Sequence, residues 1–403
     1  TTLGPGYGME NIWVEGFILK GGVSGKLNYM LKPLEKVQRL TLGCDPEFFF
    51  KKEGRVVGAE KVLPPDGMKD GSGGEIVIDG VQAEIHPAAS TCRVELAANI
   101  QASLCHLAAT MKADITTDFS AVVDIEQDRL DEMADCNKVF GCSMSYNQHK
   151  KGTNKVTYIK ANPIKYLKRS AGGHIHMGGV FPWIETAEQK RSYASYLETL
   201  PTLHNPEMII DVLDIVVGNT MVLLDRDPAN AERRKNYGKA GEYRLPEYGI
   251  EYRTLSNFWL RGMPLFSLVT GMCRLAVEIC TQSTKENNYH KELLKLVKMK
   301  DVIKAIDTND FDLALSNFRK IEKFLIDLTG GDSSGFYPLD RLTIDSFNFV
   351  VEKGLDHFFK QSPMDAWVDP TAGFDSGWNV FCHDVVRPMI KAQANVTTNT
   401  CAA

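Results

Sequence analysis

Several common signatures are absent from this sequence of 403 residues, and each absence narrows the class of protein. Lys and Arg number 46 against 51 Asp and Glu, so a net charge of −5 gives no general attraction to nucleic acid or to an anionic membrane. No run of about 18 apolar residues occurs, so no membrane-spanning helix is predicted. Residues 1–20 lack a basic stretch followed by an apolar core, so we expect no signal peptide.

Motifs of zinc-ribbon and phosphate-loop proteins are also missing. None of the nine cysteines forms a C-x-x-C pair, which argues against a zinc ribbon. An odd number of scattered cysteines is typical of reduced, buried thiols, and we therefore expect a cytoplasmic protein. The sequence contains no G-x-x-x-x-G-K-[ST] phosphate loop and no H-R-D and D-F-G set of a protein kinase.

The character of the sequence changes along its length. Residues 1–39 begin with a Gly-rich stretch and form an unassigned N-terminal segment. Across 40–262, strand-like and helical stretches alternate irregularly, without the regular βα rhythm of a doubly wound fold. This pattern predicts an α+β domain built on an antiparallel sheet with packed helices. Residues 263–403 are predicted to form a mostly helical C-terminal region packed on that domain.

Apolar periodicity predicts the main elements. Alternation predicts strands at 42–50, 56–57, 75–86, 155–160, 174–180 and 249–258. The 75–86 stretch is interrupted by Asp79-Gly80, which is typical of a two-residue hairpin turn. Spacings of three and four predict helices at 91–113, 186–200, 206–224, 294–306 and 311–328.

Four of the short strands share one property: each carries two polar or charged side chains two residues apart. Side chains at i and i+2 lie on the same face of a strand. If the strands belong to one sheet, a single face carries four carboxylates, three imidazoles and a guanidinium. Burying such groups unpaired would cost several kcal/mol each, so water or bound cations must satisfy them. The pairs are Asp45/Glu47, Glu84/His86, His174/His176 and Glu251/Arg253.

Taken alone, each pair also has an ordinary structural explanation. Asp-Pro-Glu at 45–47 is common in turns, and Glu84-Ile85-His86 is common on exposed strands. Glu251-Tyr252-Arg253 is typical of a cross-strand salt bridge. The pair at 174 and 176 is more specific, because the glycine pairs at 172–173 and 178–179 allow close approach of another group. The four pairs together favour a metal-dependent active site.

A carboxylate-rich set of ligands with few histidines suits Mg²⁺ or Mn²⁺ better than Zn²⁺. Because Mg²⁺ commonly bridges protein carboxylates to phosphate, arginines are expected nearby. The segment 225–244 supplies Arg226, Arg233, Arg234 and Arg244, and its glycines predict a loop. The alternative for this basic run is a solvated surface turn.

Six motifs occur in an order that resembles the phage-encoded COOH-NH2 ligase type 2 family, whose catalytic fold is similar to those of glutamine synthetase and glutamate–cysteine ligase. The resemblance covers roughly residues 40–262. The motifs are Gly-Cys-Asp-Pro-Glu-Phe at 43–48, Asp79-Gly80 with Ala-Glu-Ile-His-Pro at 83–87, Gly141-Cys142, Gly-Gly-His-Ile-His at 172–176, the Arg234–Arg244 segment, and Tyr-Gly-Ile-Glu-Tyr-Arg-Thr at 248–254.

The resemblance implies an antiparallel sheet of the glutamine-synthetase-like catalytic type and an ATP-dependent carboxylate–amine ligase that forms an amide through an acyl phosphate. It also implies Mg²⁺ or Mn²⁺ on the polar sheet face. The implied metal ligands are Asp45, Glu47, Glu84, His174 and Glu251; Glu95 or His86 stands as a candidate for one further ligand. The implied nucleotide contacts are His176, Arg253, Arg234, Tyr237 and Lys239, and the implied catalytic arginines are Arg253, Arg244 and Arg234.

The catalytic base has two candidates, and the reaction has alternatives. Glu242 and Glu247 are the candidates for a base that accepts the amine proton. The alternatives to a ligase are a phosphagen-type kinase on the same fold and a non-catalytic phage binding or structural protein. The expected partners are ATP and a small-molecule or peptide carboxylate and amine, without nucleic acid or membrane, in the host cytoplasm if the protein is phage-encoded. The oligomeric state is left open.

Overall fold

A large antiparallel sheet forms the centre of the molecule in the computed structural model. The strand at 155–160, the helix at 186–200, the motif at 141–142 and the segment 1–39 lie outside the described residues. The structure describes residues 40–71, 73–90, 93–138, 145–149, 167–178, 206–246, 248–283, 287–330, 338–355 and 362–368.

Ten of the described strands form one sheet, in which all the pairings are antiparallel. The central path runs β3-β4-β5-β1-β10-β12-β11-β8, and both β2 and β6 pair with β1; β7 and β9 form a separate pair. The strands are β1 Thr41–Lys52, β2 Arg55–Val57, β3 Met68–Lys69, β4 Glu75–Asp79, β5 Gln82–His86, β6 Ile115–Asp118, β7 Val122–Asp124, β8 Tyr146–Asn147, β9 Lys168–Ser170, β10 Gly173–Gly178, β11 Glu242–Arg244 and β12 Gly249–Tyr252.

Helices pack against one face of the sheet. The prediction of an α+β fold, with an antiparallel sheet and packed helices, is confirmed. The described residues after 262 are mostly helical. The described α-helices are α1 Arg93–Thr110, α2 Gln127–Asp131, α3 Asp135–Lys138, α4 Pro206–Leu213, α5 Asn219–Met221, α6 Ala229–Asn236, α7 Met263–Thr281, α8 Tyr289–Leu296, α9 Met299–Asp307, α10 Phe311–Thr329, α11 Pro338–Lys353 and α12 Pro363–Val368.

Strand β1 shows why the two faces of the sheet differ. Its even-numbered residues Leu42, Cys44, Phe48 and Phe50 are buried in the main apolar core together with Ile175 and Met177 of β10. Helix α7 contacts α1, α4 and α11 and belongs to the same core. The odd-numbered side chains of β1 lie on the other face, because side chains alternate along a strand. The polar pair of this strand therefore lies opposite the core.

Three predicted elements differ in the structure. The stretch predicted as one helix at 206–224 contains a π-helical turn, Asp214–Gly218, between α4 and α5. The helix predicted at 294–306 is two helices, α8 and α9, because the backbone is extended at Val297 and Lys298 and Val297 is buried. The basic segment predicted as a loop instead contains helix α6 before its turn.

The Asp79-Gly80 hairpin is also shifted by one residue from the prediction. Asp79 pairs with Gln82, so the two turn residues are Gly80 and Val81. Gly80 has a φ of +61°, a left-handed conformation that glycine adopts without steric cost. Asp79 is consequently the last residue of β4 instead of a turn residue.

The helices and cysteines bear on the expected absence of a membrane span and on the expected reduced thiols. Within the described ranges, no helix has both the length and the apolar character needed to cross a membrane. Among the described residues, Cys44, Cys105, Cys273 and Cys280 are free thiols.

Trp367 provides a test of how the last described helix is attached. Its side chain is fully buried, its indole N–H donates to the Leu260 carbonyl at 2.7 Å, and its ring packs edge-on against Phe266. Trp367→Ala should therefore lower the free energy of unfolding by about 3–5 kcal/mol in urea titrations. Its neighbour Val368 is 39% exposed, so Val368→Ala should change it by about 0.5 kcal/mol or less. Equal effects of the two substitutions would contradict this packing.

Candidate functional site

Strand register places the polar pairs on one face of the sheet, as the sequence predicted. Asp45 lies opposite His174 in the β1–β10 pair, and Glu47 lies opposite Glu84 in the β1–β5 pair. Glu251 lies opposite His176 on one side and opposite Arg244 on the other. Directly opposed residues share a face, so five strands contribute to one polar surface.

The first group on this surface consists of Asp45, His174 and Glu251, whose ligand atoms all lie within 4.8 Å of one another. His174 Nδ1 is 2.9 Å from Asp45 Oδ1 and 3.4 Å from Glu251 Oε1, and all three residues are buried. Asp45 Oδ1 and His174 Nδ1 nevertheless have no hydrogen-bond partner of acceptable geometry among the described residues. Buried atoms that can act as metal ligands, and that converge without hydrogen-bonding to one another, are suited to binding one cation.

Electrostatics keeps Asp45 and His174 in the forms that bind a cation. Burial opposes ionisation of Asp45, but attraction to His174 and His176 outweighs it and holds the pKa of Asp45 well below its usual range. Burial lowers the pKa of His174, which favours the neutral imidazole. The Tyr237 hydroxyl contacts His174 Nε2. A neutral imidazole that donates from Nε2 to Tyr237 directs its Nδ1 lone pair toward the two carboxylates.

The second group consists of Glu47, Asp79 and Glu84, again with ligand atoms within 4.8 Å of one another. Burial, with the charges of Asp79 and Glu84, raises the pKa of Glu47 well above its usual value. Burial also raises the pKa of Glu84 to about 7, against the opposing effect of the bond from His86, whose Nε2 is 3.0 Å away. Three crowded carboxylates cannot all ionise without a compensating cation. The Gly172 N–H, which donates to Glu47 Oε2 at 2.5 Å, supplies only a partial charge.

Asp79 was not predicted as a candidate ligand, because the sequence pattern placed it in a turn. The signal was nevertheless present in the hairpin. Once Asp79 pairs with Gln82, Val77 pairs with Glu84, and Asp79 shares the face of Glu84. A one-residue shift of the turn therefore decides whether this carboxylate reaches the second group.

Two arginines border the first group. Arg244 makes a two-pronged ion pair with Glu251, from Nε to Oε2 at 2.6 Å and from Nη2 to Oε1 at 2.7 Å. Arg253 Nε lies 3.1 Å from Glu251 Oε1, and its Nη1 donates to Ser145 Oγ at 2.6 Å. Its Nη2 also donates to the Tyr237 hydroxyl at 3.3 Å. Glu251 therefore joins the first group to two guanidinium groups.

The structure does not bring Arg234 to this surface, contrary to the prediction. Arg234 donates to Asn309 Oδ1 at 2.6 Å, outside both groups. The adjacent Arg233 instead packs over the Tyr237 ring at 4.9 Å and donates to the carbonyls of Thr254 and Leu255. Consecutive residues of a helix point about 100° apart, so α6 directs only one of the two arginines toward the site.

The remaining candidates take different positions. Glu95 contacts the Ser90 hydroxyl and lies outside both groups, whereas His86 borders the second one. Lys239 is half-buried in the turn before β11. Glu242 is fully buried and accepts the Gly238 N–H at 2.9 Å. The other candidate base, at position 247, lies outside the described residues.

His176 lies at the open side of the surface, with Nε2 3.1 Å from Asp45 Oδ2. Its ring stacks on Tyr248, with centroids 5.7 Å apart and planes 19° apart, and the Tyr248 hydroxyl is 2.6 Å from His176 Nδ1. Tyr248 is 41% exposed. Tyr248 belongs to the motif at 248–254, but it was not among the site residues predicted from the sequence.

Comparison with protein families agrees with the resemblance drawn from the motifs. Residues 199–295 match the family described as phage phiEco32-like COOH.NH2 ligase-type 2, and this segment includes Arg244, Glu251 and Arg253. No curated protein sequence matches significantly. Among solved structures, the chain is similar to a bifunctional glutathione synthetase from Pasteurella multocida, with 10% identity and a TM-score of 0.36. That alignment covers 79% of this chain and 53% of the other, so this chain spans about half its length.

The raised pKa of Glu84 leads to a prediction about cation binding and pH. Because its pKa of about 7 exceeds the usual value of 4.5, the folded protein holds an extra proton between these pH values, and its stability without a cation falls as pH rises. Mg²⁺ or Mn²⁺ bound at the second group would compete with that proton. The increase in Tm on adding the cation should therefore be larger at about pH 8 than at about pH 5.5.

Glu84→Gln is the matched control for this measurement, because it removes the titrating group and keeps the side-chain size. The variant should lose most of the difference between the two pH values. A cation-induced increase in Tm that is the same at both pH values in the unsubstituted protein would contradict binding at the second group.

Proposed function

We propose that this protein is an ATP-dependent carboxylate–amine ligase that forms an amide through an acyl-phosphate intermediate. One observation carries the proposal: two groups of converging ligand atoms lie beside two arginines on one face of an antiparallel sheet. The groups are Asp45/His174/Glu251 and Glu47/Asp79/Glu84. The family matched at 199–295 is one of COOH.NH2 ligases, which supports an enzyme that joins a carboxylate to an amine.

The donor atoms of both groups fit Mg²⁺ or Mn²⁺. Five of the six residues offer carboxylate oxygens, which these ions prefer, and one offers an imidazole nitrogen. The unbonded atoms Asp45 Oδ1 and His174 Nδ1 and the raised pKa values of Glu47 and Glu84 are consistent with residues arranged for a cation. When bound, such ions would neutralise phosphate oxygens during phosphoryl transfer.

The two arginines would then recognise the transferred phosphoryl group. A guanidinium group matches phosphate oxygens with two parallel hydrogen bonds. Arg253 is held from behind by Ser145 and Tyr237, so its orientation is set before substrate arrives. Arg244 is one-third exposed and contacts the Glu251 carboxylate from the solvent side. We expect His176, Tyr237 and Lys239 to contact the nucleotide.

The reaction has two steps. A carboxylate oxygen attacks the γ-phosphorus of ATP, the bond to the β-phosphate oxygen breaks, and ADP leaves. The amine nitrogen then attacks the acyl carbon, inorganic phosphate leaves, and the nitrogen loses a proton. Preorganised cationic groups stabilise the charge that develops on the transferred phosphoryl oxygens. In this proposal residues 40–262 form the catalytic domain, with a sheet of the glutamine-synthetase-like type, and 263–403 support it.

Product analysis tests the proposed reaction. The protein, Mg-ATP, a pool of the common amino acids and hydroxylamine should yield ADP, phosphate and an acyl hydroxamate, because hydroxylamine intercepts an acyl phosphate. AMP and pyrophosphate would instead indicate an acyl adenylate and contradict the intermediate. A stable phosphorylated amine or acid without a hydroxamate would favour the kinase. Absence of turnover together with absence of ATP and metal binding would favour a non-catalytic protein.

Substitution of the two glutamates tests the location of the site. Glu47→Gln and Glu251→Gln should each lower kcat by about 10³-fold or more, because each replaces a carboxyl ligand of one group with an amide. Glu47→Gln should leave the Tm equal or higher, since its carboxylate is crowded by other acids. Glu132→Gln is the control, because Glu132 is exposed and pairs only with Arg129 among the ion pairs described. Full activity of both site variants would place the active site elsewhere.

A further inference from the structure

A hydrogen-bonded unit lies beneath the polar surface, on the opposite face of strand β12. Tyr252 stands between Glu251 and Arg253, and its fully buried side chain points away from both. Its hydroxyl donates to Asp214 Oδ1 at 2.7 Å. The second carboxylate oxygen of Asp214 accepts a hydrogen bond from His149 Nε2 at 2.5 Å. One buried carboxylate therefore joins two side chains from separate parts of the chain.

Both ends of this unit belong to elements that carry candidate site residues. Tyr252 ends β12, which carries Glu251 and precedes Arg253. His149 follows β8, where Asn147 Nδ2 donates to the Ala240 carbonyl and the Gln148 N–H donates to the Gly241 carbonyl. Those two carbonyls belong to the turn directly before β11, the strand of Arg244. The unit thus reaches the strands of Glu251 and Arg244 from the core side.

The backbone around Asp214 is shaped for this contact. Asp214 begins the π-helical turn Asp214–Gly218, and such turns inside helices are frequent at functional sites. A Cβ atom on Gly218 would lie only 2.4 Å from the Tyr252 hydroxyl oxygen, so glycine is required for the hydroxyl to fit. At the other end, a Cβ atom on Gly241 would lie 2.6 Å from Cδ2 of the His149 ring. Glycines make room for both hydrogen-bonding side chains.

An apolar contact at this position would carry no such risk, because a buried carboxylate costs several kcal/mol when it loses its partners. Hydrogen bonds differ from apolar contacts in being directional, so they define the height and rotation of a strand. We propose that His149, Asp214 and Tyr252 act together as a positioning unit that holds Glu251 and Arg253 at the height required on the polar surface. The inference rests on the proposed function only for the role of these two residues.

Tyr252→Phe tests this inference, because it removes one hydroxyl and keeps the ring. Mn²⁺ affinity, measured by calorimetry well below the Tm, should weaken by about tenfold or more, as is typical when a group behind a ligand is removed. In the ligase reaction kcat should fall by about 10–100-fold, with the KM for ATP changed by about twofold or less. Tyr243→Phe is the matched control: Tyr243 lies directly opposite Tyr252 in the β11–β12 pair and is also buried. It should change each quantity by about twofold or less.

His149→Gln extends the test to the other end of the unit. The double variant with Tyr252→Phe should weaken Mn²⁺ affinity by less than the product of the two single effects, because both side chains act through Asp214. A lowered Tm for Tyr252→Phe, with Mn²⁺ affinity and kcat both kept within about twofold, would show a merely structural role and overturn the inference.

The two proposals can fail separately. If the unsubstituted protein binds Mn²⁺ but forms no hydroxamate, the ligase proposal fails while the comparison of Mn²⁺ affinities still decides the positioning role. If the unsubstituted protein binds no Mn²⁺, the positioning inference is overturned, whatever its ligase activity.

Discussion

The pairing of strand β1 with β10 and β5 is the constraint on which the candidate site depends. This register sets Asp45 opposite His174 and Glu47 opposite Glu84. A slip of one residue in either pair would turn the carboxylates toward the apolar core, where Phe48 and Ile175 now pack. The apolar residues of β1 therefore hold its carboxylates in place, because they bury one face and leave the other for charge.

Crowding of like charges is the main cost of this arrangement. The second group holds three carboxylates, and burial, together with repulsion from neighbouring carboxylates that include Asp45, raises the pKa values of Glu47, Asp79 and Glu84. The first group is balanced differently, since imidazoles stand beside Asp45 and arginines beside Glu251. The second group therefore favours binding of protons or cations, whereas the negative charge of the first group is already largely compensated by neighbouring side chains.

Much of the site could be predicted from the sequence, because a strand repeats every two residues. That repeat assigned Asp45/Glu47, His174/His176 and Glu251/Arg253 to common faces without knowledge of the fold. Asp79 could not be found in the same way, since its role depends on a one-residue shift of a turn. The choice between Arg233 and Arg234 depends on the rotation of a helix about its axis. Single residues without a repeat, such as Tyr248, carry no comparable signal.

The sequence by itself determined which residues could carry charge on one face of each strand, and that no phosphate loop was present to bind nucleotide. It also determined that sheet and helix would mix irregularly. Only the tertiary structure decided which strands are neighbours, and so which of these residues form one group. It alone joined His149, Asp214 and Tyr252, which are separated by 65 and 38 positions in the chain. The physical reason is that local periodicity sets the direction of a side chain, whereas its neighbours depend on the burial of distant apolar surfaces.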